Sequence, residues 1–312
     1  MVEPFEVNDD ELYSAEKKYN ALVHNHPLSL GRQLSSNERS RRALTESSLI
    51  YGETEFAPLA IALQKIQKAY GGLEGRGGRF VDVGAGLGKT LVAAAVCHNW
   101  DECVGLEILP DLVASGKMLC TRYKEIMSNA VGHGAAAAAA IRLEIVAADA
   151  TGVDWSTADC VFINAMCFHA KLLERISAIA DRMEAGTWAI TVTRRLPSAE
   201  WAILNQQTFT IASGGSGTYY IHRKMAPPPL AAYFVGFTDG RVKLATVLLP
   251  LEKHEAVTQN TIMKNDTIMK NVFSVKKVII DPDLKRDPVE LLMGPSYFNA
   301  EKALNFKIVK KK

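Results

Sequence analysis

The chain has 312 residues, 48% of them hydrophobic, 22% charged and 8% aromatic. These are the proportions of an ordinary globular protein, and they exclude the disordered, collagenous and disulfide-scaffold classes. The net charge of +2 conceals an uneven spread: residues 241–312 carry 14 Lys and Arg against 8 Asp and Glu, whereas residues 1–240 carry 22 against 26.

A second basic cluster, Arg32, Arg39, Arg41 and Arg42, lies near the N-terminus. Such clusters read either as solvated surface or as contacts to nucleic acid or another polyanion. The longest apolar stretch, residues 91–97, is far short of the roughly 18 needed to span a bilayer. The acidic N-terminus lacks the basic start and apolar core of a signal peptide. A nuclear or cytosolic protein without membrane contact is expected. The five cysteines are odd in number, contain no CxxC pair and sit in apolar segments, which predicts buried, reduced thiols and no metal site.

The first 50 residues are polar, with helical patches around residues 10–23, and read as a helical arm. A helix is expected over 56–69, where Leu59, Leu63 and Ile66 recur at helical spacing, and the glycines from Gly71 to Gly78 end it. A regular alternation follows. Strands are expected at 79–83, 103–108, 141–147, 159–165 and 187–193, with helices at 90–99, 110–128 and 171–183 between them. The Gly/Ala stretch 132–140 reads as an insertion, either a loop or an added helical turn. Two further β-rich runs, 207–212 and 218–222, flank a short Gly/Ser connection and suggest an antiparallel edge pair.

This order predicts an α/β protein with a Rossmann-like class I methyltransferase fold, its seven-stranded, mainly parallel sheet closing on an antiparallel hairpin. The expected organisation is a helical N-terminal region (1–70), a catalytic domain (71–226) and a small C-terminal appendage (230–312) beyond the stiff Pro227–Pro229 stretch. The appendage should hold two strands around the turn 238–240, a tandem six-residue duplication (260–265 and 266–271) and a basic tail ending at Lys312.

The chemistry centres on Phe80-Val81-Asp82-Val83-Gly84-Ala85-Gly86-Leu87-Gly88-Lys89-Thr90. Three glycines directly after a strand let the backbone pass close to a ligand at the start of the next helix. A Walker A loop fits only at its end, because Val83 stands where glycine is required. A dinucleotide site is disfavoured by the GxGxG spacing and by Asp82, which would repel a pyrophosphate. The same acid suits the ammonium and sulfonium of S-adenosylmethionine. Glu107 ends the next strand and can accept from the ribose hydroxyls; Asp149 ends the third and can accept from the adenine amine.

Together with Leu49-Ile50-Tyr51-Gly52-Glu53-Thr54-Glu55-Phe56, the run Val161-Phe162-Ile163-Asn164-Ala165-Met166-Cys167-Phe168 and Thr218-Tyr219-Tyr220-Ile221-His222, these residues resemble the Dot family of non-SET histone lysine methyltransferases. The resemblance covers about residues 45–225. It implies that Tyr51, Gly52, Glu53 and Thr54 fold over the methionine end of S-adenosylmethionine and that Asn164 lies beside the transferred methyl. Lys89 stands where the family usually has Gln, and Ala150 where an aromatic residue usually follows the adenine-binding acid. The second Asn of the family stretch is Ala165.

The expected cofactor site is thus Tyr51 to Thr54, Asp82, Gly84, Gly86, Gly88, Lys89, Glu107, Asp149 and Ala150. The expected catalytic group is Asn164, Phe168 and Tyr219, with Phe162, Met166 and Tyr220 as further wall residues. Lysine attacks as a neutral amine, and an apolar channel lowers its pKa by desolvation. His169 and His222 read as surface or packing residues rather than as bases. A nucleosomal histone is the expected substrate, with DNA phosphates as possible contacts for the basic segments. Two alternatives stay open: a methyltransferase of another protein or small molecule, and a degenerate nucleosome- or nucleic-acid-binding module.

Overall fold

Short apolar runs that return at regular intervals become the strands β1 (Arg79–Val83), β2 (Glu102–Glu107), β3 (Arg142–Ala147), β4 (Cys160–Asn164) and β5 (Trp188–Val192), all parallel. Two longer strands, β6 (Trp201–Thr210) and β7 (Ser216–Lys224), close one edge, with β7 antiparallel to β5 and β6 antiparallel to β7. The sheet order is β3-β2-β1-β4-β5-β7-β6. The order reverses between β1 and β4, and the C-terminal ends of those two strands open a crevice there. The computed structural model describes residues 7–75, 77–130, 135–210 and 215–226, and the backbone of 230–235 and 245–250.

Both faces of the central strands are covered, which is why β1, β2, β4 and β5 are nearly continuous in apolar residues. Phe80, Cys103, Cys160, Phe162 and Ile190 pack on one face with the helices α1 (Asp9–Val23), α3 (Phe56–Lys68), α4 (Lys89–Cys97) and α5 (Pro110–Ser128). Val81, Val83, Val104, Val161 and Ile163 pack on the other face with Leu173 and Ile176 of α7 (Ala170–Ala180). The N-terminal helices therefore share the main core rather than trailing from it.

Asn8 starts α1 by accepting from the amide of Glu11, with Asp9, Asp10 and Glu11 in the first turn where carboxylates are favoured. The polar stretch that follows forms a second helix, α2 (Leu28–Arg41). α2 is fastened to the start of α5: Glu38, 1% exposed, accepts from the Asp111 amide at 2.8 Å and from Arg42, while Arg41 pairs with Asp111. Two of the four charges in the N-terminal basic cluster are thus already balanced.

Two expectations, the start of β6 and the burial of every cysteine, are corrected, and the choice left open for the alanine run is decided. β6 begins at Trp201 rather than 207, because an edge strand with most of its side chains exposed shows little alternation. The alanine run is helical, α6 (Ala135–Ala140), as alanine's propensity favours. All five cysteines are free, but Cys97 and Cys167 are only partly buried. The chain divides into two units, Met1–Ala226 and Pro227–Lys312. In the second, β8 (Leu230–Val235) and β9 (Ala245–Pro250) form an antiparallel pair. The turn 238–240, the duplication, the Pro227–Pro229 stretch and the basic tail lie outside the described residues.

Candidate active site

β1 delivers the chain to the crevice, and the next residues turn directly into α4. Gly84, Gly86 and Gly88 have φ of +82°, +55° and +76°. Two of them also lie under close neighbours. A methyl group at Gly86 would come within 2.5 Å of the Tyr51 ring, and one at Gly84 within 3.4 Å of Phe168 Cζ.

Glu107 braces this loop from behind. Its Oε2 accepts from the Gly86 amide at 2.9 Å, and its Oε1 from the amides of Ile108 at 2.8 Å and Leu109 at 2.9 Å. Burial raises its pKa, and the three amides oppose that shift. A carboxylate has about four acceptor positions, so it retains room for about one ribose hydroxyl.

Asp82 is in a different situation. It is 2% exposed, the Thr90 hydroxyl hydrogen-bonds to it, and its Oδ2 has no partner among the described residues. Burial, with a smaller contribution from the charge of Glu107, pushes its pKa up to about 8. The hydroxyl of Thr54, in the same pocket, is likewise buried without a partner. Leaving such groups unsatisfied costs about 1–3 kcal/mol each, and an unpaired native group calls for a reason. An ammonium ligand satisfies Asp82, and a carboxylate satisfies the Thr54 hydroxyl. The donor set fits the amino-acid end of S-adenosylmethionine.

The loop 51–54 covers the pocket. The Tyr51 ring lies between α2 and the glycine loop: a methyl group at Gly31 would sit 2.2 Å from Tyr51 Cε1, so glycine is needed on both sides of the ring. Its hydroxyl donates to Glu53 Oε1 at 2.5 Å, and Lys89 Nζ pairs with Glu53 Oε2 at 2.7 Å. Asn164, at the end of β4, donates from Nδ2 to the Gly52 carbonyl at 3.3 Å and accepts from the Met166 amide. The enclosed volume is about 20 Å³, enough for a water molecule. A whole nucleoside needs several hundred Å³, on the order of 300 or more, so it does not fit within this space alone.

Nine of the expected residues thus line one pocket: Tyr51, Gly52, Glu53, Thr54, Asp82, Gly84, Gly86, Lys89 and Asn164. Phe162 joins them as a wall residue, with Ala85 and Thr90. Gly88 caps α4 beneath. The other expected residues lie outside the lining. Phe168 is half-buried over Gly84. Tyr219 lies on the row Asn164–Val192–Tyr219 across β4, β5 and β7, buried, with its hydroxyl donating to Gln207 at 2.8 Å. Asp149 is exposed, its Oδ1 taken by the amide and hydroxyl of Thr151 at 2.8 Å each. Ala150 is half-buried, and its carbonyl accepts from Trp155.

Tyr220 faces away, into a groove of about 470 Å³ on the α7 side that also holds Glu174, Arg194 and Arg195. His169 caps α7 by accepting from the Leu172 amide. His222 is buried beside the Thr191 hydroxyl, and burial lowers its pKa to about 4. Neither is a base for this pocket. Thr90 and Gly31 escaped the sequence reading. Thr90 had a signal, a hydroxyl residue two positions after the last glycine of the turn. Gly31 had none, since only folding brings it to Tyr51. Among the described residues no group of three or more His, Cys, Asp or Glu is placed to hold a metal, and no helix is long and apolar enough to cross a membrane.

A mainly parallel sheet with a glycine turn after β1, an acid at the end of β2 and an antiparallel terminal pair is the class I methyltransferase fold. The profile of the family described as "Histone methylation protein DOT1" matches residues 36–213, more than half of the chain, and the protein belongs to that family. It is therefore an S-adenosylmethionine-type methyltransferase by fold and family. Solved structures similar in fold include YhhF of Escherichia coli (12% identity, 56% of this chain and 89% of that one, TM-score 0.41). Others are PH1948 of Pyrococcus horikoshii (12%, 61% and 99%, 0.40) and YcgJ of Bacillus subtilis (9%, 55% and 100%, 0.38). No curated protein matches the chain.

Proposed function

We propose that the protein transfers a methyl group from S-adenosylmethionine to a lysine side chain of a nucleosomal histone in the nucleus. The observation that carries the reading is the pair of unpartnered groups, Asp82 Oδ2 and Thr54 Oγ1, in one pocket between the glycine loop and Asn164. Family membership supports histone as the substrate class.

When bound, the cofactor supplies an electrophilic methyl on a sulfonium. Asp82 holds its ammonium, Glu107 a ribose hydroxyl, and Asp149 with Ala150 borders the adenine end. Asn164, tied to the Gly52 carbonyl, orients the incoming amine and couples it to the closed loop. Phe162 and Phe168 exclude water, which favours the neutral amine that attacks. Tyr219 stands behind this wall and fixes its shape, since its hydroxyl is committed to Gln207. Arg32 and Arg39, with the basic region 241–312, meet nucleosomal DNA; each neutralised phosphate contributes a salt slope of about −0.9.

The test is incubation with methyl-labelled cofactor and either intact nucleosomes or a histone-depleted lysate. Label on a histone lysine is expected. Label confined to the lysate would move the substrate outside chromatin, and no transfer to either despite cofactor binding would make the protein a binding module.

A further inference from the structure

The two edges of the sheet differ in how they meet solvent. On β3, Arg142 pairs with Glu144 and with Glu102 of β2, so that edge bears charges of both signs. Charged side chains on an edge discourage pairing with another chain. β6 is 10 residues long and holds no charged residue and no proline. Every second residue of β6 turns its amide and carbonyl away from β7, and no strand meets that side among the described residues. Ile203 and Leu204, 39% and 38% exposed, stand near the start of this run.

The edge is held in place from one face. Tyr70 donates to the Leu204 carbonyl at 3.1 Å, where the register with β7 shifts, and Lys65 donates to Gln207 at 2.6 Å and to Asn205 at 3.3 Å. Beyond the shift, residues 205–210 keep regular register with β7, so little remains to be ordered when another strand arrives. Gln206, Thr208 and Thr210 lie exposed on the opposite face. Such neutral amides and hydroxyls meet copies of themselves without like-charge repulsion, and they offer a basic peptide no counter-charge. We propose that the 205–210 edge of β6 docks antiparallel on the same edge of a second copy of this chain. The two sheets then continue as one about a two-fold axis. Because β6 runs parallel to β5, the second copy's crevice between β1 and β4 opens at the opposite end of that sheet. The dimer presents its two candidate active sites to two separate substrates.

Sedimentation equilibrium of the full chain tests this with two double variants, Gln206→Lys with Thr208→Lys and Gln206→Glu with Thr208→Glu. The unsubstituted protein should form a dimer whose share rises with concentration. Each variant alone should dimerise about 10-fold more weakly or worse, because like charges meet across the edge. An equimolar mixture of the two should regain the dimer, which also shows that both are folded. Should either double variant not fold, Thr208→Lys and Thr208→Glu alone decide by the same criteria. A monomer at every concentration up to about 100 μM overturns the proposal. A dimer that both variants retain overturns it too, since the contact then lies elsewhere, and so does a loss that mixing does not restore. An extended peptide of alternating Lys and Thr should leave the dimer intact; if it splits the dimer, β6 is a peptide site and the second copy is not its occupant.

Discussion

The two walls of the pocket are built on different principles. The floor, from Gly84 to Gly88, is held by backbone: Glu107 collects three amides, and the left-handed turn leads without a break into α4. The covering loop, 51–54, is held by side chains: a phenol between two glycines, one ion pair and one amide contact from Asn164. Backbone bonds to a buried acid are expensive to break, whereas a half-buried ion pair can exchange partners. The same contrast separates the two acids: Glu107 already accepts from three amides of the protein, whereas Asp82 keeps one oxygen without a partner among the described residues.

The largest expected effect would break the floor. Glu107→Ala leaves the amides of Gly86, Ile108 and Leu109 without their acceptor, two of these bonds being buried, and should destabilise the protein by about 3 kcal/mol, read as a lower urea midpoint. A loss below about 1 kcal/mol would mean that the loop is held by something other than Glu107. Glu107→Gln, which keeps one acceptor oxygen, should fall between.

The second prediction sharpens the contrast between the acids. With its pKa at about 8 against 3.8 for a free aspartate side chain, Asp82 is protonated in the folded protein across a window where the unfolded chain is ionised. It therefore withdraws stability as pH rises from about 4 through 8. A cationic ligand reverses this preference, because binding it expels the proton. Affinity for S-adenosylhomocysteine should rise up to about tenfold per unit between pH 6 and 8 and then level off. Asp82→Asn should bind about 10- to 100-fold more weakly near pH 8, with that rise abolished. An unchanged pH profile in the variant would remove Asp82 from the ligand's ammonium.

The smallest effect tests where floor and cover touch. Gly86→Ala places a methyl group 2.5 Å from the Tyr51 ring at a φ of +55°. The backbone strain alone costs about 1–2 kcal/mol, and the clash adds to it. Tyr51→Ala in the same background should recover the clash but not the strain, so a double-mutant cycle separates them. Full additivity would show that the ring does not rest on Gly86.

Much of the architecture was legible because its signals are local. The strand-helix alternation over 79–192 follows from apolar runs between glycine turns, and the glycine loop with Asp82 and Glu107 follows from spacing alone. β6 was half-missed because an exposed edge strand has no face to bury, and α2 because its apolar positions are few.

What the amino-acid sequence determined by itself was the parallel layout, the place of the crevice and the chemical type of the groups around it, since each depends on residues close in the chain. Only the tertiary structure decided how those groups are used. Glu107 turned out to be a brace, and Tyr220 turned away from the pocket because alternate residues of a strand face opposite sides. Gly31, carried by α2, meets the Tyr51 ring, and Lys89 meets Glu53 across the fold. Pairings between residues far apart in the chain leave no periodic trace; they exist only when packing brings their surfaces together.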